Sequence, residues 1–366
     1  MEKQPKVSVV MPVYNAYDYL RPAIESILDQ TLADIEIICI DDGSTDPSHE
    51  LIQKYAERDG RIRLVTEQNA GPAHARNNGI RYATGEYIAF LDADDFFEPS
   101  MLEVLYDTAA SKSLDIAISD YDLYHSREAR FEKHTPLSFV EIFEGGKITS
   151  QNEIPDTIFQ TVDGFLWNKL FRRAFLEEKG LSFPIEAKSF EDIYFIYAAV
   201  SLASRIGRTE HVLVHHRIHS EQLRNQVLRK NYDTVITVYG LFRSFLMHHG
   251  LYLPLSVSYV NLAAEACYTV LNQLPTDKAE QFWDLLHEYE NAERIGFADG
   301  LQDFLTDSEL RQFVVEVQLY SYRQVQRHPR RFRRLHPSRI PQLLKSVRVR
   351  EKFRSFFKRK RCSEEK

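Results

Sequence analysis

The segment Gly85-Glu-Tyr-Ile-Ala-Phe-Leu-Asp-Ala-Asp-Asp95 is the clearest guide to the architecture of this chain. Its apolar run, Tyr87 to Leu91, predicts a short buried strand of a parallel sheet, because such strands are continuous hydrophobic runs. Asp92, Asp94 and Asp95 follow where this strand ends. Ligands bind outside the carboxyl ends of strands in open α/β sheets, so we expect these acids to face a crevice.

Asp92 and Asp94 are candidate ligands for a hard cation. One residue separates their carboxylates, so both can approach one ion and leave coordination positions for phosphate and water. Oxygen ligands favour Mg²⁺ or Mn²⁺ and argue against zinc. Any solvated turn can carry an Asp-x-Asp pair, so the surroundings of the motif have to support this interpretation.

Repeated β-α units precede this segment. Short apolar runs alternate with helical spacing, which predicts a sheet with helices on both faces and right-handed crossovers. The predicted fold class is therefore α/β with a mainly parallel sheet. The predicted strands are Val7 to Val10, Ile35 to Ile40 and Ile62 to Val65. One helix is predicted after each strand: the first ends near Gln30, the second follows Pro47 and the third ends near Ala83.

The remainder of the chain is less regular. Asp115 to Ser119 and Val212 to Val214 predict further strands, and a helix is predicted to begin at Ser189. The polar segment from Asp120 to Ile154 shows no period, so we interpret it as a loop or as acceptor-side structure. Beyond Arg229 the apolar spacing is helical only.

These patterns divide the chain into three parts. Residues 1–228 are predicted to form the α/β domain, residues 229–322 an all-helical domain and residues 323–366 a basic helical tail. The first boundary is placed near Leu228, where strand patterns stop and helical spacing continues.

The composition describes a globular protein in a reducing compartment. Of 366 residues, 43% are hydrophobic and 12% aromatic, which is enough to bury a large core. The three cysteines are far apart, so neither a disulfide framework nor a CxxC metal site is predicted. The amino terminus lacks an apolar export segment, and no run approaches the roughly 20 apolar residues of a membrane span. We therefore expect a cytoplasmic protein.

The tail is strongly basic. Between Arg323 and Arg361, 16 Lys and Arg residues occur against one acid, Glu351. Such a segment predicts peripheral binding to an anionic membrane surface, on the inner face of the plasma membrane. A solvated charge run or an intersubunit contact is the alternative, so homo-oligomerisation stays open. Nucleic-acid binding is not predicted, because no module that reads DNA or RNA is evident.

Five ordered blocks of the sequence resemble glycosyltransferase family 2. The resemblance covers roughly residues 5 to 225 and implies the GT-A nucleotide-sugar fold. Processive members of the family carry a Gln-x-x-Arg-Trp motif and membrane helices, and neither is found in this sequence. The resemblance is thus to enzymes that add one sugar per cycle. The blocks are Val7 to Asn15, Asp41-Asp-Gly-Ser-Thr-Asp46, Asn69-Ala-Gly-Pro-Ala-His-Ala-Arg-Asn77, Gly85 to Asp95 and Glu191-Asp192.

The resemblance implies a nucleotide site at the ends of the first two strands. Pro12, Tyr14 and Asp42 fall on positions that hold the pyrimidine and ribose in the family. Turn formation is the alternative role for Tyr14 and Asp42. Arg76 is expected to reach the diphosphate or base, or only to pair with a surface acid. Asp92 is expected to contact the nucleotide as well as the cation.

The resemblance also implies a metal site. The family's acid motif falls on Asp92 and Asp94, and Asp94 is the expected direct ligand. His219 is expected to complete the metal shell with His216 as the alternative, although histidines after a strand are also common on surfaces. Asp95 is expected to bind the sugar or to cap the next turn. Mn²⁺ or Mg²⁺ would stabilise the departing diphosphate as a Lewis acid.

Glu191-Asp192 matches the family's catalytic pair. Asp192 falls on the position of the base. Inversion at the anomeric carbon needs a carboxylate opposite the leaving group, which takes the proton of the acceptor hydroxyl. The alternative is structural, because Ser189-x-x-Asp192 fits a capping box at the start of a helix.

The predicted function is that of an inverting, metal-dependent hexosyltransferase. It would move a sugar from a UDP-sugar donor to a hydroxyl of a glycan, lipid-linked or glycoprotein acceptor, in bacterial surface-glycan or glycoprotein assembly. A nucleotidyltransferase is one alternative, but Met11-Pro-Val-Tyr-Asn15 is not the Gly-rich, basic loop it needs. A non-catalytic sugar-nucleotide-binding scaffold is another, and the presence of Asp92, Asp94 and Asp192 argues against it.

Overall fold

A computed structural model describes residues 4–133, 140–218 and 231–319. These residues form two compact units that divide between Leu255 and Ser256. The predicted domain boundary near Leu228 and the basic tail from residue 323 lie outside the described residues, so both stay predictions.

The first unit begins with the predicted β-α units. Its elements are β1 (Val7–Val13), α1 (Tyr17–Leu28), β2 (Ile35–Asp41), α2 (Ser48–Ala56), β3 (Ile62–Thr66), α3 (Pro72–Tyr82) and β4 (Tyr87–Phe90). These strands run parallel in the order β3-β2-β1-β4. Every residue of β4 is buried, as expected for an apolar run inside a parallel sheet. The predicted alternation of strands and helices is therefore confirmed.

The other half of the sheet makes it a mixed sheet. Its elements are β5 (Phe96–Phe97), α4 (Met101–Lys112), β6 (Ile116–His125), β7 (Arg130–Lys133), β8 (Lys169–Arg172) and β9 (Ile206–Ile218). β8 is antiparallel to both β4 and β6, whereas β9 is parallel to β6. The short strands β5 and β7 pair antiparallel with β9 and β6. The continuous parallel arrangement thus ends at β4, and parallel pairing recurs between β6 and β9.

β6 is longer than the sequence predicts. The expected strand over Asp115 to Ser119 continues to His125, so the interpretation of the following residues as a loop is wrong for this stretch. The polar side chains of this continuation do not indicate a strand in the sequence. In the structure, Asp120 forms an ion pair with Arg208 on the neighbouring β9.

β9 also extends beyond the predicted Val212 to Val214 on both sides. Its His215 lies between two carboxylates, with Nδ1 2.6 Å from Oδ1 of Asp122 and Nε2 2.9 Å from Oε1 of Glu98. These partners let the polar His215 lie in an interior strand, since each nitrogen of its buried ring has a hydrogen-bonding group.

Helices complete the first unit. The helix predicted after Ser189 is present, and its Phe195, Ile196 and Val200 are buried. Phe242 of the following helix lies with its ring centroid 6.0 Å from that of Tyr197. The helices are α5 (Ile158–Thr161), α6 (Arg173–Glu178), α7 (Glu191–Leu202) and α8 (Thr234–His248), with a 3-10 segment at Val140–Gly146.

The described residues beyond α8 are helical, as predicted. In the core of the second unit, Trp283 and Phe313 meet edge to face with ring centroids 5.9 Å apart. The elements are α9 (Tyr252–Gln273), α10 (Thr276–His287), α11 (Tyr289–Arg294) and α12 (Ser308–Leu319), with 3-10 turns at Phe297–Asp299 and Gln302–Phe304.

Within residues 4–133, 140–218 and 231–319, no helix combines the length and the apolar character needed to cross a membrane.

Helix α3 lies directly against β1. Gly79 faces Val10, and a Cβ atom at Gly79 would lie only 2.2 Å from Cγ1 of Val10. Real Cβ atoms do not approach other carbons so closely, so this contact requires glycine. The contact therefore sets the depth at which α3, the helix that contains Arg76, lies on the sheet.

We expect Gly79→Ala to destabilise the protein by about 1 to 3 kcal/mol, because an added methyl group in a filled site forces the backbone to shift. The better helix propensity of Ala offsets only about 1 kcal/mol of this. Gly60→Ala is the matched control, since a Cβ atom there meets no atom within 4 Å. Urea unfolding measures both variants, and equal midpoints would contradict the packing argument.

Candidate active site

The carboxyl ends of three parallel strands meet at one edge of the sheet. β1 lies between β2 and β4, and all three run in the same direction. This arrangement places Pro12 and Tyr14, at the end of β1, between Asp42 and Asp92, which follow β2 and β4. Tyr14 is 50% exposed, so its ring can stack on a ligand, whereas Asp42 is buried.

Asp42 holds the loop that opens α3. Its Oδ1 accepts a hydrogen bond from the backbone N–H of Ala70 at 2.8 Å, and its Oδ2 accepts one from Gly71 at 2.9 Å. Each carboxylate oxygen has two acceptor positions, so this side chain can still accept a hydrogen bond from a ligand. Its structural role in the loop and a role in nucleotide contact are therefore compatible.

Arg76 joins two of the acidic motifs. Its Nη2 donates to Oδ1 of Asp92 at 2.9 Å, and its Nη1 donates to Oε1 of Glu191 at 2.5 Å. Burial by itself lowers the pKa of the guanidinium, but the attraction of Asp92 and Glu191 raises that pKa above its ordinary value. Arg76 and Glu191 are buried and Asp92 is partly exposed, so the arginine pairs with acids of the candidate site, and its expected contact with the diphosphate or base stays a prediction.

The catalytic-pair motif opens helix α7. Glu191 and Asp192 lie in its first turn, where negative charge interacts favourably with the helix dipole. Ser189 does not cap this helix, because Phe190 occupies the cap position with a φ of +63° and no side-chain cap bond forms. The capping-box alternative is therefore wrong. Oγ of Ser189 is buried without a hydrogen-bond partner among the described residues.

Asp192 is partly buried and follows Glu191 in the first turn of α7. Burial and the neighbouring Glu191 raise the pKa of its carboxyl group to about 7, although Arg76 acts in the opposite direction. Its Oδ1 accepts a hydrogen bond from the backbone N–H of Ile193 at 2.9 Å. A carboxyl group with a pKa near neutrality can take up and release a proton readily, as a general base must.

Strand β9 anchors the acidic segment at Asp94 and Asp95. Nε of Arg217 donates to the backbone oxygen of Asp94 at 2.8 Å. The backbone N–H of Arg217 donates to Oδ1 of Asp95, also at 2.8 Å. Nδ1 of His216 lies 3.0 Å from the same carboxylate oxygen. Burial raises the pKa of Asp95 to about 6, opposed by His216. The sequence does not predict this anchor, because its two sides are 121 residues apart.

Asp92 and Asp94 fit a hard divalent cation in their donor chemistry. Both carboxylates are partly buried and follow the end of β4, and Mn²⁺ and Mg²⁺ favour oxygen ligands. Among the residues that the structure describes, no group of three or more His, Cys, Asp or Glu is arranged to hold a metal. His219, the predicted third ligand, lies outside the described residues, and His216 bonds Asp95 through Nδ1. The metal site therefore stays a prediction.

Lys169 is a buried cation that the sequence reasoning missed. Its Nζ donates to the carboxylate of Asp163, to the backbone oxygen of Phe165 at 2.6 Å and to Oδ1 of Asn168 at 2.8 Å. Burial lowers the pKa of this amine, and Asp163 and Asp192 act in the opposite direction. Lys169 therefore contributes to the electrostatic surroundings of Asp192. A lysine inside an otherwise apolar run is the signal that points to it.

Sequence comparison identifies the family. A profile described as Glycosyl transferase family 2 matches residues 8–179. The protein named "Putative glycosyltransferase EpsH" of Bacillus subtilis (strain 168) is 33% identical over 249 residues, covering 67% of this chain and 70% of EpsH. The chain therefore belongs to glycosyltransferase family 2, and the resemblance seen in the five sequence blocks is confirmed.

Solved structures share the fold. A structure of residues 1–349 of S. aureus TarS in complex with UDP-GlcNAc has a TM-score of 0.69 at 19% identity, covering 89% of this chain and 91% of that one. The mannosyltransferase PcManGT from Pyrobaculum calidifontis, in complex with GDP-Man and Mn²⁺, has a TM-score of 0.51 at 16% identity, covering 86% of each chain. At these identities the similarity concerns the fold alone, and the predicted GT-A fold is confirmed.

We expect Arg76→Met to destabilise the protein by about 3 to 5 kcal/mol at pH 7.5, because loss of the guanidinium leaves the buried Glu191 and the partly buried Asp92 without their partner. The control is Arg21→Met, whose pair with Glu25 is exposed and contributes less than about 1 kcal/mol. Urea unfolding measures both variants, and an equal loss of stability in the two would contradict the buried-pair explanation.

Proposed function

We propose that this protein is an inverting glycosyltransferase that moves a sugar from a UDP-sugar to an acceptor hydroxyl. The observation that carries the proposal is the pairing of Arg76 with both Asp92 and Glu191, which brings the acid motif close to Asp192. Groups that bind the donor and the group that activates the acceptor must meet around one anomeric carbon. A buried link between their two motifs supports such a meeting.

The donor nucleotide would bind at the ends of β1 and β2. The half-exposed ring of Tyr14 would stack on the uracil base, beside Pro12, and Asp42 would accept a hydrogen bond from the base or ribose. The fold neighbour TarS binds UDP-GlcNAc, which supports UDP as the nucleotide. A direct contact between Arg76 and the donor stays a prediction, since its Nη atoms already bond to two carboxylates.

Asp92 and Asp94 would hold Mn²⁺ or Mg²⁺ beside the donor diphosphate, and His219 remains the predicted third ligand. When bound, the ion would supply Lewis-acid stabilisation of the charge on the departing diphosphate. The chain's own contribution is rigidity. Arg217 fixes the backbone of Asp94 and the carboxylate of Asp95, so the acidic segment keeps one conformation.

Asp192 is proposed as the base. Its carboxylate would take the proton of the acceptor hydroxyl while the hydroxyl oxygen bonds to the anomeric carbon and the diphosphate oxygen leaves. Attack from the side opposite the diphosphate inverts the anomeric configuration. Glu191 would assist indirectly, because its charge is among the causes of the raised pKa of Asp192.

The acceptor would be a hydroxyl of a glycan, a lipid-linked sugar or a glycoprotein, and the transferred sugar a hexose. This proposal places the enzyme in bacterial surface-glycan or glycoprotein assembly. The basic segment Arg323 to Arg361 would bring it to an anionic membrane surface, since each basic residue near such a surface contributes on the order of 1 kcal/mol. A lipid-linked acceptor would be reached most easily from that position.

We expect UDP-sugars with Mn²⁺ to raise the melting temperature, because a ligand that binds only the folded state adds about 2.7 kcal/mol at 100 times its Kd. GDP-mannose with Mn²⁺ is the matched control and should give a smaller shift, and omission of Mn²⁺ should weaken the response to UDP-sugars. Differential scanning fluorimetry measures these shifts. A response to GDP-mannose without a response to any UDP-sugar would contradict the proposed donor.

We expect Asp192→Asn to lower sugar transfer by about 10²- to 10⁴-fold, the usual contribution of a general base, with UDP affinity unchanged within about twofold. Wild-type transfer should fall as the pH drops below about 7, because the base must be ionised. UDP release and calorimetric UDP binding provide the measurements, with Asp284→Asn at an exposed position as the control. Substantial residual transfer by Asp192→Asn would exclude Asp192 as the base.

A further inference from the structure

Asn77 forms two hydrogen bonds with the chain segment that leads into α7, the helix that begins with Glu191 and Asp192. Its Nδ2 donates to the backbone oxygen of Phe183 at 2.9 Å, and its Oδ1 accepts from the backbone N–H of Phe183 at 2.8 Å. One amide side chain thus satisfies both backbone groups of a residue that is 106 positions away. Reciprocal bonds of this kind fix the orientation of the bound segment as well as its position.

The ring of Phe183 extends this attachment into the core. It stacks on Phe195 of α7 with centroids 4.0 Å apart and planes 6° from parallel, and it meets Phe90 of β4 at 5.3 Å. The guanidinium of Arg76 lies 5.7 Å from the centroid of the same ring. Phe183 therefore connects the segment to the strand that precedes Asp92 and to the helix that begins at Glu191.

The segment from Leu181 to Phe190 needs such an anchor. Ile185 and Lys188 are exposed, and Phe190 has the left-handed conformation that bulky residues avoid. Backbone strain of this kind persists only where the surroundings determine the conformation. Phe190 lies directly before Glu191, so release of the segment would let the strained residue relax and would shift the start of α7.

We propose that Asn77 is a positioning residue for sugar transfer. Together with its neighbour Arg76, it lets one turn of α3 hold both the side chain of Glu191 and the backbone of the segment that precedes it. Asn77 acts through Glu191 and Asp192 and makes no contact with the reacting atoms. The inference rests on the proposed role of Asp192 as the base.

Asn77→Ala tests this proposal, with Asn78→Ala as the matched control. Asn78 is the next residue on α3, is buried to a similar degree and also makes two side-chain hydrogen bonds, but its partners are Glu67 and Arg81. We expect Asn77→Ala to lower turnover, measured as UDP released from UDP-sugars with Mn²⁺, by about tenfold or more, since small misplacements of reacting groups cost up to about 100-fold. UDP affinity measured by calorimetry should stay within about twofold, and Asn78→Ala should change neither quantity.

Limited trypsin digestion gives a second readout that does not depend on turnover. Cleavage after Lys188, detected by mass spectrometry of the folded protein, should accelerate in Asn77→Ala and not in Asn78→Ala. Asn77→Asp keeps the acceptor for the Phe183 N–H but loses the donor, so it should show part of both effects, and it serves if Asn77→Ala does not fold.

Equal turnover and equal cleavage rates for the Asn77 and Asn78 variants would overturn the proposal. A loss of UDP affinity as large as the loss of turnover would also overturn it, because Asn77 would then act on donor binding. Failure of the proposed base is a separate result, read from Asp192→Asn, and it does not affect the cleavage pattern at Lys188.

Discussion

A guanidinium buried between two carboxylates is the interaction on which the candidate site depends. Arg76 lies on α3, Asp92 follows β4 and Glu191 begins α7, so one side chain links three elements. Each of these charges would cost several kcal/mol if it were buried alone. The three elements are therefore stable together in this arrangement, and the close approach of α3 to the sheet at Gly79 allows the arginine to reach both acids.

Sequence reasoning was sufficient for the parallel half of the fold and for the edge where the candidate residues lie. Val7 to Val10 and Ile35 to Ile40 are apolar runs that fit only an interior strand, and each is followed by polar residues. Because parallel strands end at one edge, the chain order alone brings Tyr14, Asp42 and Asp92 near one another. The family blocks added Glu191 and Asp192, which no periodic pattern distinguishes from an ordinary helix start.

The remaining features depend on partners that are distant in sequence. β6 and β9 appear too polar for interior strands until Asp120 is paired with Arg208, 88 residues away. Propensity and periodicity report on neighbours along the chain, so they cannot show which charges will meet. The same limit explains why the sequence leaves two roles open for Arg76 and does not predict the attachment of Asp95 to His216 and Arg217.

The hydrogen bonds of Asp42 have a thermodynamic consequence. Its two oxygens accept hydrogen bonds from the amides of Ala70 and Gly71, so the chain's own contacts order the loop at the start of α3. The entropy cost of ordering that loop is therefore borne during folding and does not reduce the affinity of a later association. A loop that is preorganised in this way favours ligands that fit its existing shape over ligands that require it to rearrange.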